Sequence, residues 1–343
     1  MRRGVSLAGR IEALLTRHWW RSRPTLLSQL LAPLATLYGA LAARQRRRAL
    51  PQRAPVPLLV VGNVVAGGGG KTPTVMALVA AMQAAGRKPG VISRGFGRQG
   101  AAVIEVTAHS AAQAVGDEPL LIHRRSRVPV WVGRNRHAAA MALCARHPEV
   151  DLLIADDGLQ HHALARDLEL LVFDQRGAGN GLLLPAGPLR EPMPLTLAPQ
   201  QRVLYTGGHP STALPGAVAT RRLTLAWPLA AWHAGDARQA VPLSALRGRR
   251  MLAAAGLAAP QKFFTMLQAA GLNIKRLPLP DHFDYATLPW PSATAEVVVT
   301  EKDAVKLDVK RLGDTKLWVL PLDLVLPDAL VADLLTLLKR RPP

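Results

Sequence analysis

The sequence predicts an α/β fold: a mainly parallel sheet domain, then a smaller C-terminal α/β domain, both preceded by a basic amphipathic helix. Three observations carry this. Short apolar runs alternate with helical stretches through the first half of the chain, a glycine-rich loop joins the first run to the first such stretch, and arginines bracket an uncharged segment near the N-terminus. With 343 residues there is length for about two domains. At 49% hydrophobic and 19% charged residues the composition excludes a disordered chain. The single cysteine, Cys144, forbids an internal disulfide, and no Cys/His cluster has zinc spacing.

Charge divides the chain first. Lys and Arg number 43 against 23 Asp and Glu, a formal net charge of +20, which points to a polyanionic partner. Residues 1–53 carry eleven of the arginines and one acid, Glu12. Between two arginine clusters, residues 24–43 are uncharged, and Leu27, Leu30, Leu34, Leu37 and Leu41 recur at helical spacing, widened by Leu26, Leu31 and Tyr38. A cleaved signal peptide is disfavoured, because the apolar run starts late and runs long. Pro33, Ser28, Gln29 and Thr36 weaken a spanning helix, and arginines on both sides give no topological asymmetry. The pattern reads as a helix lying in one leaflet of an anionic membrane, with Trp19 and Trp20 at the headgroup boundary. The bland alternative is an amphipathic helix packed on the protein body.

Residues 54–222 read as the sheet domain, with strands at 58–62, 89–93, 102–106, 129–132, 151–155 and 168–173 and helices at 74–86, 118–126 and 135–146. After the first strand comes Gly62-Asn63-Val64-Val65-Ala66-Gly67-Gly68-Gly69-Gly70-Lys71-Thr72-Pro73, a phosphate-binding loop in strand–loop–helix context. Gly67, Gly68, Gly69 and Gly70 let backbone N–H groups close on phosphate oxygens. Lys71 reaches the β/γ-phosphates, and the Thr72 hydroxyl ligates Mg²⁺. Val65 stands where the strict pattern has its first glycine. Downstream, residues 151–157 form an apolar strand ending in Asp156 and Asp157, the place for an acid that holds Mg²⁺. Thr300-Glu301-Lys302-Asp303 approaches a guanine-reading motif with its spacing wrong by one, so ATP is the expected nucleotide.

Residues 223–343 show their own alternation: 250–256, helix 260–271, strands 274–279, 296–300 and 316–320, and helix 327–340. The Pro- and Ala-rich stretch 185–222 reads as the connection.

Several segments together resemble the tetraacyldisaccharide 4′-kinases, which phosphorylate the lipid A precursor of Gram-negative bacteria. They are the loop above, Ile92 to Gly97, Gly116-Asp117-Glu118-Pro119, Asp156 to His161, Leu184 to Glu191, Asp281-His282-Phe283 and Thr300 to Lys306. The likeness runs from about residue 5 to residue 325. It implies transfer of the ATP γ-phosphoryl group to the 4′-hydroxyl of a tetraacylated glucosamine disaccharide 1-phosphate, at the cytoplasmic face of the inner membrane. It also implies that the C-terminal domain closes a nucleotide cleft. By the same resemblance Asp117 is the base that takes the hydroxyl proton, His282 orients it, and Glu118 and Asp156 join Thr72 around Mg²⁺. Asp157, Gln160 and His161 complete the site. Arg190 is the candidate for the γ-phosphate, and Arg94 and Arg134 for the acceptor or its 1-phosphate.

Two other classes fit less well. A membrane-associated regulatory ATPase would carry a lysine where this chain has Ala66. A nucleic-acid binder would interleave a stacking or zinc motif with its arginines, and the sequence has no such motif, so no nucleic acid is expected.

Overall fold

The computed structural model of the protein describes residues 14–21, 23–67 and 69–339. Two compact units emerge, and neither is contiguous in sequence. The first unit comprises residues up to 88, 148–220 and from 326 onward; the second comprises 89–147 and 221–325. The expected boundary near residue 222 survives only as one of several crossings. Residues 89–147 group with the C-terminal half, and the last helix groups with the phosphate-loop unit.

In the first unit, β1 (Leu58–Gly62) is flanked by β5 (Leu152–Asp156) and β6 (Leu168–Phe173), with β7 (Gln201–Tyr205) and β8 (Ala217–Val218) following beyond β6. All these pairings are parallel. Strands β1, β5 and β6 are buried along their whole length, which is why they read as apolar runs without alternation. Helix α1 (Lys71–Ala84) covers them with Val75, Leu78, Val79 and Met82. It packs against the terminal helix α2 (Asp328–Lys339). The stretch expected as a connection thus supplies two strands of this sheet. Gln201 and Arg202 hid β7, and only pairing with β6 reveals it.

The second unit holds β2 (Pro89–Ser93), β4 (Val130–Val132) and β3 (Ile104–Val106), with β3 antiparallel at one end. Helices α3 (Asp117–Ser126) and α4 (Arg136–Arg146) pack on them. It also holds a six-stranded sheet. In sequence its strands are β9 (Leu225–Pro228), β10 (Val241–Pro242), β11 (Arg250–Ala255), β12 (Asn273–Pro278), β13 (Glu296–Thr300) and β14 (Lys316–Leu320). Their spatial order is β10-β9-β14-β13-β11-β12. Its core is Met251, Ala253, Phe264, Leu267, Val298 and Trp318, closed by helix α5 (Pro260–Ala269). A one-turn helix, α6 (Glu301–Ala304), follows β13 and packs on α3.

The N-terminal segment is not one helix. Residues 14–19 are helical, then come Leu26–Leu30 and Ala32–Arg48, the last with Pro33 in its first turn, where its missing N–H costs nothing. Its faces sort cleanly. Leu26, Leu30, Leu34, Leu37 and Leu41 are between 54% and 80% exposed, whereas Ser28 and Ala35 are buried. Leu27, Leu31 and Tyr38 are half-buried, and the Tyr38 hydroxyl donates to the Arg190 carbonyl at 3.0 Å. The two tryptophans are engaged by the protein body. Trp19 Nε1 donates to the Pro185 carbonyl at 2.8 Å, and Trp20 lies 4.1 Å beneath the Arg176 guanidinium. Asn180 ties the same region down, donating to Ser28 Oγ and to the Ala186 carbonyl. None of the helices among the described residues is long and apolar enough to cross a membrane.

A buried ion pair helps join the two parts of the second unit. Arg125 of α3 donates to the buried Glu301 of α6 at 3.0 Å and also pairs with Asp323. Leaving a buried carboxylate without its cation costs about 3 kcal/mol or more. Arg125→Met is therefore expected to lower unfolding stability by about that much, measured by denaturant titration, while Arg125→Lys loses less.

Candidate functional site

In the first unit, a cluster of candidate residues is built where β1, β5 and β6 end. Asn63, fully buried, follows β1, and the glycine loop turns into α1 at Gly70, whose φ of 86° only glycine adopts without strain. A Cβ at Gly70 would also meet Thr206 Oγ1 at 2.9 Å. Thr206 braces the loop from beneath, its hydroxyl lying 3.1 Å from the Gly69 carbonyl. Val65 explains the departure from the glycine pattern. It forms an isolated bridge with Leu189 and is 3% exposed, and the loop is held on both sides by Ala66 N–H to the Pro188 carbonyl and Arg190 N–H to the Val64 carbonyl. Extended backbone with a buried side chain suits valine, not glycine. Gly68 lies outside the described residues.

Lys71 opens α1, with Nζ 3.4 Å from Asn63 Oδ1 and 3.7 Å from Asp157 Oδ1. Asp157, at a left-handed φ of 49°, accepts from Arg190 at 3.0 and 3.2 Å. Arg190 donates as well to Gln160 Oε1, and Gln160 Nε2 donates to the Asn63 carbonyl and to Glu191. Lys71, Asp157, Gln160 and Arg190 thus form one cluster, two cations beside one carboxylate, at the mouth of a glycine loop. Such an arrangement accepts a polyphosphate. His161 follows, its carbonyl held by Arg166 at 2.9 Å. Thr72 and Pro73 occupy the first turn of α1. Asp156 ends β5 at 2% exposure, in register with Val61 of β1. A hydroxyl and a buried carboxylate are hard oxygen donors, and this chemistry fits Mg²⁺. Among the described residues no three His, Cys, Asp or Glu side chains gather as a metal site, and Glu118 belongs to the other unit.

In the second unit, another cluster forms at the start of α3. Gly116 precedes Asp117 at φ 95°, and a Cβ there would stand 3.1 Å from the Phe96 carbonyl. Gly95, at φ 67°, would meet the Val115 carbonyl at 2.7 Å. Both must be glycine for the loop after β2 to touch the helix start. Asp117 and Glu118 lie in the first turn of α3, where the helix dipole favours acids. Asp117 Oδ2 lies 3.1 Å from His282 Nδ1 and 3.3 Å from Lys306 Nζ. His282 Nε2 lies 3.3 Å from Lys302 Nζ, which also reaches Asp281 at 3.3 Å and Glu118 at 3.7 Å. An ammonium beside Nε2 and a carboxylate beside Nδ1 select one tautomer, with the proton on Nδ1 donated to Asp117. Burial pushes the Asp117 carboxyl up, but the His282 hydrogen bond and the charge of Lys306 outweigh it, so it sits below its ordinary value.

Arg94 and Arg134 are exposed on the loops after β2 and β4. Neither is drawn into the Asp117 cluster. Two lysines escaped the reading of residue types: Lys302 and Lys306 lay in a segment compared with a guanine motif. A usable signal was their spacing of four residues, one helical turn, beside two buried acids, Glu301 and Asp303.

The Asp117 shift has a sign that can be checked. The stabilisation from ionised Asp117 is complete above its unfolded value of 3.8 and is lost as pH falls through the lower folded value. Asp117→Asn is therefore expected to lower the melting temperature at neutral pH, and the gap from the parent should shrink through the acid range. An equal gap at all pH values contradicts the ionised pair.

Known proteins resemble this chain over nearly its whole length. The family model of LpxK, tetraacyldisaccharide-1-P 4′-kinase, matches residues 27–339. The tetraacyldisaccharide 4′-kinase of Methylibium petroleiphilum is 53% identical over 323 residues, 91% of this chain and 90% of that one. Its counterpart in Leptothrix cholodnii is 51% identical over 349 residues, 98% and 99% of the two chains. Among solved structures, LpxK from Aquifex aeolicus, an "apo" form in complex with ATP, superposes with a TM-score of 0.76 at 25% identity, covering 91% of this chain and 100% of that one. On this agreement of sequence, fold and length, the chain belongs to the tetraacyldisaccharide 4′-kinase family.

Proposed function

We propose that the protein transfers the γ-phosphoryl group of ATP to the 4′-hydroxyl of a tetraacylated glucosamine disaccharide 1-phosphate at the cytoplasmic face of a bacterial inner membrane. The observation that carries this is the Asp117–His282 pair, 3.1 Å apart, in a family member that also builds the Lys71 and Arg190 cluster. Phosphoryl transfer draws on both units. In the first, Gly67, Gly69 and Gly70 present backbone N–H groups, and Lys71 and Arg190 balance the charge that develops on the transferring group. Thr72, Asp156 and Glu118 would hold Mg²⁺, which would supply positive charge against that of the phosphates.

In the second, Asp117 accepts the proton of the attacking hydroxyl as the new phosphorus–oxygen bond forms and the bond to the β-phosphate oxygen breaks. Its low pKa makes it a weak base, which suits a loose transition state in which the hydroxyl loses its proton late. What matters is that Asp117 is ionised and aimed. His282 aims it, and Lys302 keeps His282 in the donating tautomer. Arg94 and Arg134 meet the acceptor.

The exposed leucine face suits the acceptor's location. Each leucine fully buried is worth about 1.5–3 kcal/mol, and the arginines at 44 and 46–48 add electrostatic attraction. The face lies flat in one leaflet.

Incubation with Mg-ATP and the tetraacyl disaccharide 1-phosphate in detergent should yield the 4′-phosphorylated product, and none would refute the activity. Asp117→Ala should lose roughly 10²–10⁴ in kcat, the usual worth of a general base. His282→Ala should lose less, and Lys302→Met less again, with KM for ATP unchanged in all three. Near-normal turnover in both Asp117→Ala and His282→Ala removes the pair from the mechanism. Separately, the Leu30→Asp, Leu37→Asp double variant should lose flotation with phosphatidylglycerol vesicles while keeping its circular dichroism. Undiminished flotation would sink the leaflet reading.

A further inference from the structure

A cavity of about 480 Å³ lies between the Ala32–Arg48 helix and the loop after β5. Leu41, Arg44 and Arg48 line it from the helix, and Gln160, His161 and His162 from the loop. Neither His162 nor these arginines has a part in the transfer chemistry above. A metal is not the natural occupant, because no metal-binding group of His, Cys, Asp or Glu occurs among the described residues. The charge around the cavity is positive. Burial pushes the His162 imidazole below its ordinary pKa, and the charges of Arg166 and Arg46 push it further. The nearby acids are engaged elsewhere: Glu169 accepts from Arg166 and Gln201, and Glu191 accepts from Gln160.

Placement narrows the ligand. Leu41 belongs to the exposed leucine face and is 58% exposed, and Arg44 and Arg48 follow it at successive turns of the same helix. The cavity therefore sits where an apolar face gives way to arginines. A volume in the range of small-molecule pockets exceeds what a bare anion fills and suits a phosphate with its attached sugar or glycerol. The geometry points to a binding site for a lipid-borne phosphate, gripped by Arg44 and Arg48 with His161 and His162 opposite, while the acyl chains continue along the leucine face. Two guanidiniums one turn apart can each present paired donors to phosphate oxygens. Gln160 forms the inner wall and also hydrogen-bonds the Asn63 carbonyl and Arg190, so an occupant here borders the cluster around Lys71.

Two lipids carry such a phosphate: the acceptor, at its 1-position, and an anionic phospholipid of the bilayer. The acceptor arm rests on the kinase reading, and the parent enzyme's product formation tests that reading on its own. The full chain carrying Arg44→Ala and Arg48→Ala is compared with an Arg17→Ala, Arg47→Ala control, which removes equal charge from exposed positions outside the cavity. Kinetics are taken in neutral detergent with the tetraacyl disaccharide bearing or lacking its 1-phosphate. Retention is measured on phosphatidylcholine vesicles with and without phosphatidylglycerol.

A rise of roughly tenfold in KM for the 1-phosphorylated acceptor alone, with kcat and the KM of the dephospho acceptor unchanged, assigns the site to the acceptor. Unchanged kinetics with a matching loss of retention specific to phosphatidylglycerol vesicles assigns it to the phospholipid headgroup. In both cases the charge-matched control should keep the parent's kinetics and lose less retention than the cavity variant, since Arg47 lends only diffuse attraction to the membrane. The proposal is overturned if neither quantity moves, if the control moves equally, or if KM rises as much for the dephospho acceptor.

Discussion

A carboxylate buried at Glu301 decides where the chemistry of the second unit can be. Taking that charge out of water is tolerable only with a close cation and a further donor, and Arg125 and Trp232 Nε1 supply them, each at 3.0 Å. Burial still pushes the Glu301 carboxyl up despite Arg125. Arg125 belongs to the last turn of α3, and pinning it sets the direction of the helix whose first residue is Asp117. The neighbouring Asp303 does similar work toward the sheet, accepting the Gly256 N–H at 3.0 Å while Thr300 caps α6. Two buried acids thus hold the segment in place, and the lysines between and after them are left to face His282, Glu118 and Asp117. A short segment that looked like a nucleotide-reading motif is an anchor with two working cations.

The glycine loop shows how a departure from a familiar pattern can be structural. Strict phosphate loops need a first glycine because the chain turns there. In this protein the chain at Val65 runs extended against Leu189, with hydrogen bonds to residues 188 and 190 on either side. The loop after β6 therefore does two things. It stabilises the phosphate loop from outside, and it delivers Arg190 to Asp157, beside Lys71. The same loop carries Pro185 and Asn180, which hold the N-terminal segment through Trp19 and Ser28. One loop links the phosphate cluster to the helix that bears the exposed leucines.

Legibility followed locality. Strands β1, β5 and β6 were plain in the sequence because strands buried on both faces are continuous apolar runs. The glycine loop between β1 and α1 and the acidic end of β5 were plain because each depends on contiguous residues. Strand β7 was not, since its polar start gives no period and its place comes from pairing with β6. The protein contacts of Trp19, Trp20 and Tyr38 were not legible for a related reason. An amphipathic stripe says that a helix has two faces, but only the groups it meets, here Arg176, the Pro185 carbonyl and the Arg190 carbonyl, say which side is covered by protein.

By itself the sequence determined the α/β class, the phosphate loop with its lysine and threonine, the acidic strand end, and the concentration of charge near the N-terminus. The tertiary structure alone decided that residues 89–147 belong with the C-terminal half, that Lys302 and Lys306 crowd Asp117 and His282, and that the leucines rather than the tryptophans face outward. The division has one cause. Hydrophobic period and loop chemistry act between near neighbours along the chain, whereas ion pairs such as Arg125–Glu301 and Asp117–Lys306 join residues more than 170 positions apart and exist only once the chain has folded.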